Sequence, residues 1–285
     1  MWNTLMAACT GRGHRLRQQP GQDRTARRTE YGVTAIALAD GAGSAPLSHL
    51  GAECAVQTAC RLLCRDFEAL YASPTPQAMR QWIVEQVQEA IAEKAALYRA
   101  EPSELACTLL AVAVCGDRYL LFHVGDGVIA YQKAEKLLVA SRPCNGEFTN
   151  TTVFVTSRSA AQTARVLKGT QAALEGFVLM SDGCEQALYH KRTASVAPLL
   201  GHVLQWSELL QPAVSEDMLH TVLEQHIAAR TTDDCSLAVM SRAGEHFGRW
   251  DRLTPREQSR IFGIATQNKN RRRRALRRIR KQWGR

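Results

Sequence analysis

Four short apolar stretches of this chain each meet an aspartate at one end, and no other feature restricts its possible folds as much. "AIALADGAGSA" (35–45) ends its apolar run at Asp40-Gly41, "LLFHVGDG" (120–127) at Asp126-Gly127, and "GFVLMSDG" (176–183) at Asp182-Gly183. "TTDDCSLAVM" (231–240) enters its apolar run from Asp233 and Asp234. Apolar runs this short, bounded by turn residues, read as buried strands. One Asp-Gly has a plain explanation in turn geometry, because glycine supplies a positive φ and the aspartate side chain caps the turn. Four apolar runs that each meet an aspartate imply strand ends gathered at one place.

The segments between them set the class of fold. Residues 31–39 read as the first strand, and 48–71 have helical period until "SPTP" (73–76) breaks it. A second long amphipathic helix is expected over 75–100, closed by Glu101-Pro102. Residues 105–140 change style, to short apolar strands separated by charged turns. Segment 141–175 is polar, with a helix-like piece at 159–168 and no clear place. After the strand at 176–183 come a short helix, a helix over 215–230 with Ser215 as its N-cap, and a closing strand at 235–241. Paired long helices and short meandering strands imply an α+β sandwich, helices covering antiparallel sheets.

Composition excludes several classes. With 45% hydrophobic and 22% charged residues among 285, the chain has ample material for a core. No run approaches the roughly 18–20 apolar residues of a membrane span. "MWNTLMAACTGRGHR" carries no basic region ahead of an apolar one, so no secretory signal is expected. The nine cysteines include no CxxC pair, and Cys54, Cys60 and Cys64 share one helical stretch as core residues. A reducing cytoplasm is the natural compartment.

The charge is uneven. "NKNRRRRALRRIRKQWGR" (268–285) holds ten Lys or Arg and no acid, and subtracting ten from the formal +9 leaves about −1 for the rest. The expected organisation is therefore one domain over 1–245 and a basic extension over 246–285. Leu276, Ile279 and Trp283 would form a small apolar face if the extension were helical. Such a tail is either a solvated appendage or a contact for an acidic protein, RNA or anionic lipid.

Hard divalent cations such as Mg²⁺ and Mn²⁺ take carboxylate, carbonyl and water oxygens. A site for two of them, about 3.5–4 Å apart, needs acids from separate strand ends, and it can clamp a phosphoryl group for in-line attack. Each strand end here offers one carboxylate, and Gly41 leaves its backbone carbonyl open to a cation.

Taken with their flanks, "GQD" (21–23), "ADGAGSA…SHLGA" (39–52), "ACTLLAVAV…HVGDGVIA" (106–130), "LMSDGCEQALY" (179–189) and "TDDCSLAVM" (232–240) resemble one known family. It is that of the metal-dependent serine/threonine protein phosphatases, type 2C-like or PPM, in its compact bacterial branch. The resemblance covers roughly residues 10–241 and implies a four-layer α/β/β/α sandwich, two antiparallel sheets each covered by a helix pair. It implies two divalent cations, Mn²⁺ or Mg²⁺, and phosphoserine or phosphothreonine hydrolysed by a water that they activate. No covalent phosphoenzyme is expected. By resemblance, Asp40 bridges the cations with the Gly41 carbonyl on one of them, and Asp182 and Asp233 hold the other. Asp234 orients the site, Asp23 supports it, and Asp126 either helps a third, weaker cation or holds its turn. A phosphoprotein substrate follows, with a dedicated Ser/Thr kinase as the partner to expect.

Three positions depart from the family's pattern. Gln22 stands where it commonly has Glu, and a neutral amide still hydrogen-bonds a metal-bound water. Gln18 replaces the usual phosphate-binding Arg; Arg17 is the expected substitute, with Arg12, Arg15 and Arg24 as alternatives. Ala42 replaces a His that many eukaryotic members carry, and His14 is the expected group to bind substrate or protonate the leaving oxygen. Two other readings follow from these features: a pseudophosphatase that binds a phosphoprotein or kinase without turnover, and a nucleic-acid or membrane-surface binder working through the basic tail.

Overall fold

The computed structural model of the chain describes residues 2–134, 136–143, 152–170, 174–243 and 254. The basic extension expected over 246–285 therefore lies outside the described residues, apart from Thr254.

The chain begins with β1 (Trp2–Cys9), a short helix α1 (Arg12–Leu16), β2 (Arg24–Glu30) and β3 (Val33–Ala39). The expected strand at 31–39 is shortened at its start, where Tyr31 and Gly32 turn the chain with φ of 54° and 73°. β1 and β2 have no counterpart in the sequence reading, and the reason is physical. β2 is "RTARRTE", an edge strand held by its ladder to β3, with Ala26 its one buried residue.

The helix expected over 48–71 is two helices, α2 (Ser48–Arg65) and α3 (Phe67–Ala72), meeting at Asp66. α4 (Pro76–Leu97) matches its expected span closely, with the Thr75 hydroxyl accepting the Ala78 N–H at 3.1 Å as N-cap. Four strands follow: β4 (Leu109–Cys115), β5 (Arg118–Val124), β6 (Val128–Lys133) and β7 (Lys136–Ser141). The helix-like piece at 159–168 is one helical turn, α5 (Ala160–Thr163), and then a strand, β8 (Arg165–Thr170). β8 is outermost in its sheet, so its polar residues meet water and hide the strand period.

β9 (Leu174–Met180) runs into α6 (Asp182–Leu188), a hairpin of β10 (Tyr189–His190) and β11 (Ser195–Val196), and α7 (Leu199–Leu209). The helix expected over 215–230 is α8 (Pro212–Val222), continued by a π-turn to Ile227. Ser215 is not its N-cap: Gln211 holds that place, and the buried Ser215 hydroxyl donates to the Trp206 carbonyl at 3.1 Å. β12 (Cys235–Arg242) closes the fold.

Two five-stranded antiparallel sheets result, ordered β1-β12-β9-β6-β7 and β2-β3-β4-β5-β8. Ile36, Leu38, Val112, Leu121, Ile129, Phe177, Leu179 and Met240 fill the space between them. α2 and α4 cover the outer face of one sheet, and α7 and α8 that of the other, which makes the four-layer α/β/β/α sandwich. β3 is buried on both faces: Ala35, Ala37 and Ala39 meet the helices, and Ile36 and Leu38 meet the facing sheet. Small residues on the outer face let α2, with Ala52, Ala55 and Ala59, come close to it.

The register aligns the functional ends. Arg24 pairs with Ala39 and Leu109 with Val124 in one sheet; Cys9 pairs with Cys235, and Met180 with both Val128 and Leu237, in the other. These pairs sit at the strand ends next to Asp23, Asp40, Asp126, Asp182 and Asp234. α2 reaches that end through Gly51, where an added Cβ would lie 1.9 Å from the Leu105 carbonyl oxygen. Gly51→Ala is therefore expected to destabilise the protein by about 1–3 kcal/mol through backbone overpacking. Denaturant unfolding measures it, and an unchanged midpoint would show that α2 can shift freely.

Candidate active site

Asp40 ends β3, and its position is set by backbone pairing beyond the strand. Its N–H donates to the Thr108 hydroxyl at 2.9 Å, and its carbonyl accepts the Thr108 N–H at 2.8 Å. Gly41 bridges Cys107, and the Ala42 N–H donates to the Ala106 carbonyl at 2.9 Å. Position 41 requires glycine, because a Cβ there would sit 2.9 Å from the Ser48 side chain and 3.0 Å from that of Gln22. Asp126 lies where the chain crosses between sheets, from β5 to β6. Gly125, at φ 111°, makes that crossing, and the Thr152 hydroxyl donates to Asp126 Oδ2 at 2.6 Å. Asp182 follows β9 in the other sheet and begins α6.

Asp40, Asp126 and Asp182 converge: each offers an oxygen, and the three lie within 4.8 Å of one another. All three are half-buried. Asp182 Oδ1, both oxygens of Asp23 and the hydroxyls of Ser48 and Ser236 are buried without a hydrogen-bond partner among the described residues. A native fold leaves few such orphans, and their concentration here fits a missing cationic or water partner.

The electrostatics point the same way. Burial raises the Asp40 carboxyl well above the usual range, and the neighbouring Asp23 and Asp182 add to it. Burial pushes Asp23 up to about 7; Ser236, Ser181 and Asp40 lie close enough to oppose this, yet none reaches hydrogen-bond geometry with it. Asp182 rises to about 6 through burial and the charges of Asp126 and Asp233. Buried carboxylates this close cannot all ionise unaided, and a divalent cation relieves both desolvation and repulsion. The donor set is all oxygen, which suits Mg²⁺ or Mn²⁺.

Asp233 and Asp234 divide two tasks. Asp233 is exposed at the mouth, its Oδ1 accepting the Asp234 N–H at 2.9 Å. Asp234 is buried and accepts the Gly11 N–H at 2.6 Å, the Gln22 N–H, and His14 through Nδ1 at 3.0 Å. It ties the segments on both sides of α1 to the start of β12. Gly11 passes so near Asp233 that a Cβ would lie 2.3 Å from its carbonyl. His14 is 7% exposed, so its ring is part of this clamp. The Gln22 side chain borders Gly41 through its Cβ, and its amide oxygen lies toward Gly43.

Of the arginines, Arg17 is exposed on α1, and a guanidinium nitrogen turns back toward Gly13. Arg24 donates to the carbonyls of Gly21 and Asp23, both at 2.8 Å, and pairs with Glu53 at 3.5 Å. Sequence reasoning missed the anchors Thr108 and Thr152, since nothing local marks them. It also passed over Glu185, buried one helical turn after Asp182, whose Oε2 meets Lys191 at 2.9 Å. The three-residue spacing on a helix was the available signal.

This sandwich, with acids from both sheets meeting at one end, defines a class. The family profile described as Protein phosphatase 2C matches residues 10–224, and the chain belongs to that family. It is a protein phosphatase of this metal-dependent kind. A relative from Escherichia coli K12, serine/threonine-protein phosphatase 3, is 24% identical over 84% of this chain and 97% of its own. The S. agalactiae serine/threonine phosphatase structure superposes with a TM-score of 0.58 at 15% identity, covering 85% of this chain and 99% of that one. RsbX in complex with magnesium gives 0.52 at 13% identity, over 84% and 94% of the two chains. At these identities the solved structures establish the fold.

The raised carboxyls carry a pH signature in chelator-treated protein. Asp23 and Asp182 titrate near 7 and 6 when folded, against about 3.9 unfolded. The folded state then binds more protons across that window, so this contribution is greatest at the acid end and declines as pH rises. Thermal unfolding in EDTA at about pH 5 and pH 7.5 should show wild type losing more Tm on alkalinisation than Asp182→Asn does. Mn²⁺ at the higher pH should raise Tm in wild type more than in the variant. Equal slopes and equal Mn²⁺ responses would mean that Asp182 belongs to no cation site.

Proposed function

We propose that the chain hydrolyses phosphoserine and phosphothreonine monoesters in proteins with the help of two divalent cations, Mn²⁺ or Mg²⁺. The observation that carries this reading is the convergence of Asp40, Asp126 and Asp182 from both sheets within 4.8 Å. Asp40, the Gly41 carbonyl, Asp182 and Asp233 are the groups to hold the cations, and the position of Asp126 brings it into the same set. When bound, the cations supply Lewis acidity to the phosphoryl oxygens and lower the pKa of the attacking water. The chain's own residues fix the frame: Thr108 holds Asp40, Thr152 holds Asp126, and Gln22 presents an amide to solvent ligands.

His14 fits positioning better than proton transfer, because its Nδ1 is engaged by Asp234 and the ring is buried. The E. coli relative, a serine/threonine-protein phosphatase, supports the serine/threonine substrate class, and the magnesium in the RsbX complex supports the ion class. A non-catalytic role has Gln18 and Gln22 in its favour, and the convergence of Asp40, Asp126 and Asp182 argues against it. A cytoplasmic setting, a Ser/Thr kinase partner and a targeting role for the basic extension toward an acidic protein, RNA or anionic lipid accompany this reading. No helix of the described residues is long and apolar enough to cross a membrane.

p-Nitrophenyl phosphate hydrolysis with and without Mn²⁺ tests the reading. Wild type should be cation-dependent, and Asp182→Ala should lose about a hundredfold or more, as removal of several kcal/mol of transition-state stabilisation requires. Cation-independent activity, or full activity in Asp182→Ala, would overturn it. A folded but inactive wild type would favour the pseudophosphatase.

A further inference from the structure

Beside the acid cluster lies a lysine that the carboxylate frame does not explain. We propose that Lys191, tethered by Glu185 at the rim of the cluster, binds an anionic oxygen of the substrate. The inference rests on the phosphatase reading and assigns a substrate-binding residue within it.

The need comes from charge. Asp23, Asp40, Asp126, Asp182 and Asp233 make the site strongly acidic, and a phosphate dianion approaching it meets carboxylates even with cations bound. A protein cation at the rim offsets that repulsion and gives the anion a fixed hydrogen-bond donor. Arg24 cannot serve, since its guanidinium is committed to two backbone carbonyls and Glu53. Arg17 turns a guanidinium nitrogen back toward Gly13.

Lys191 has the required placement. Its Nζ lies 2.9 Å from Glu185 Oε2, and Glu185 sits one turn along α6 from Asp182, on the same helix face. Asp126 also acts on the ammonium electrostatically, so the lysine lies within the field of the cluster. The two partners differ sharply in exposure: the Glu185 side chain is 11% exposed and that of Lys191 74%. One end of the pair is thus fixed in the fold while the ammonium faces water, with donors left over for a ligand. Among the described residues Glu185 Oε1 has no partner, so no second group of theirs competes for the tether.

The hairpin carrying Lys191 is itself braced. Tyr189 pairs with Val196 and His190 with Ser195, the Ala197 N–H donates to the Leu188 carbonyl at 2.8 Å, and His190 Nδ1 meets the Thr193 hydroxyl at 2.7 Å. An ion pair with one partner this exposed contributes little to stability. Its geometry makes sense as a way to aim the ammonium.

The anion is either the phosphoryl group or an acidic side chain next to it, and three substrates separate these: p-nitrophenyl phosphate, a phosphothreonine peptide with neutral flanks and one with acidic flanks. Lys191→Met should raise KM about tenfold, the loss of one charge-assisted hydrogen bond, with kcat within about twofold and Lys191→Arg restoring most of it. A rise on all three substrates identifies the phosphoryl group; a rise on the acidic peptide alone identifies the side chain. Glu185→Gln should give a smaller KM effect, as expected for a positioning residue. The Mn²⁺ concentration for half-maximal activity and Tm should not move in Lys191→Met.

Protection against thermal unfolding by inorganic phosphate in Mg²⁺ buffer gives a readout apart from turnover. In the phosphoryl case Lys191→Met needs about tenfold more phosphate for the same shift. Unchanged KM on all three substrates, or a loss of Tm without a change in KM, would reduce Lys191 to a counter-ion for Glu185. Wild type inactive on every substrate would count against the phosphatase reading, and the phosphate titration would then decide on Lys191.

Discussion

Repulsion among buried carboxylates is the constraint on which the rest of this structure turns. Burial raises the proton affinity of Asp23, Asp40 and Asp182, and nearby carboxylates add to it: Asp234 at Asp23, Asp23 and Asp182 at Asp40, Asp126 and Asp233 at Asp182. A lone domain has no use for such an arrangement, since protonation or exposure would relieve it. It persists because the surrounding backbone leaves these side chains nowhere else to go. Asp40 cannot withdraw, because its N–H and C=O are both bonded to Thr108. Asp182 is fixed between β9 and α6, and at the neighbouring Gly183 an added Cβ would lie 1.9 Å from the Asp234 carbonyl. The strain is electrostatic rather than conformational, and a cation is the ligand that removes it.

The antiparallel sandwich makes this possible. In each sheet the alternating strand directions return every second connection to the same end, and the facing sheets bring their ends together across a thin apolar layer. Asp40 comes from one sheet, Asp182 from the other, and Asp126 from the crossing between them. Asp234 then works as a buckle: three donors from Gly11, His14 and Gln22 close the segment from β1 to β2 over the start of β12. An apolar residue there would leave the amides of Gly11 and Gln22 without their acceptor, which is costly away from water. Asp233 and Asp234 are adjacent in sequence, yet one faces the mouth and the other the interior, as alternation along an extended segment requires.

How much of this was legible in the sequence depends on where each signal lay. β3, β9, β12 and the long helices announced themselves by period because their burial is one-sided or complete. β2 did not, since an edge strand of arginines and threonines is held by its ladder to β3 and not by side-chain burial. β8 was hidden for the same reason, and Ser215 looked like a cap because its true role, bonding the Trp206 carbonyl from inside α8, is a tertiary contact. At the site, the aspartates were readable because strand-end Asp-Gly is a local pattern. Thr108 and Thr152 were not, because each acts across a distance in the chain that no local rule spans. The relation of Glu185 to Lys191 was half legible: the helical spacing from Asp182 was there, the hairpin that brings the lysine back was not.

The divergence from solved relatives follows the same division. A fold kept at 15% identity must be carried by few positions. In this chain three glycines stand where any side chain would collide with backbone: Gly11 against Asp233, Gly51 against Leu105, Gly183 against Asp234. Such contacts fix how the loops approach one another, and the loops in turn fix the acids. The rim answers to different demands. Gln18 and Gln22, which stand where the sequence resemblance implies Arg and Glu, are exposed and half-buried respectively. A site whose metal-holding core is set by backbone geometry can exchange its substrate-facing residues without losing the core.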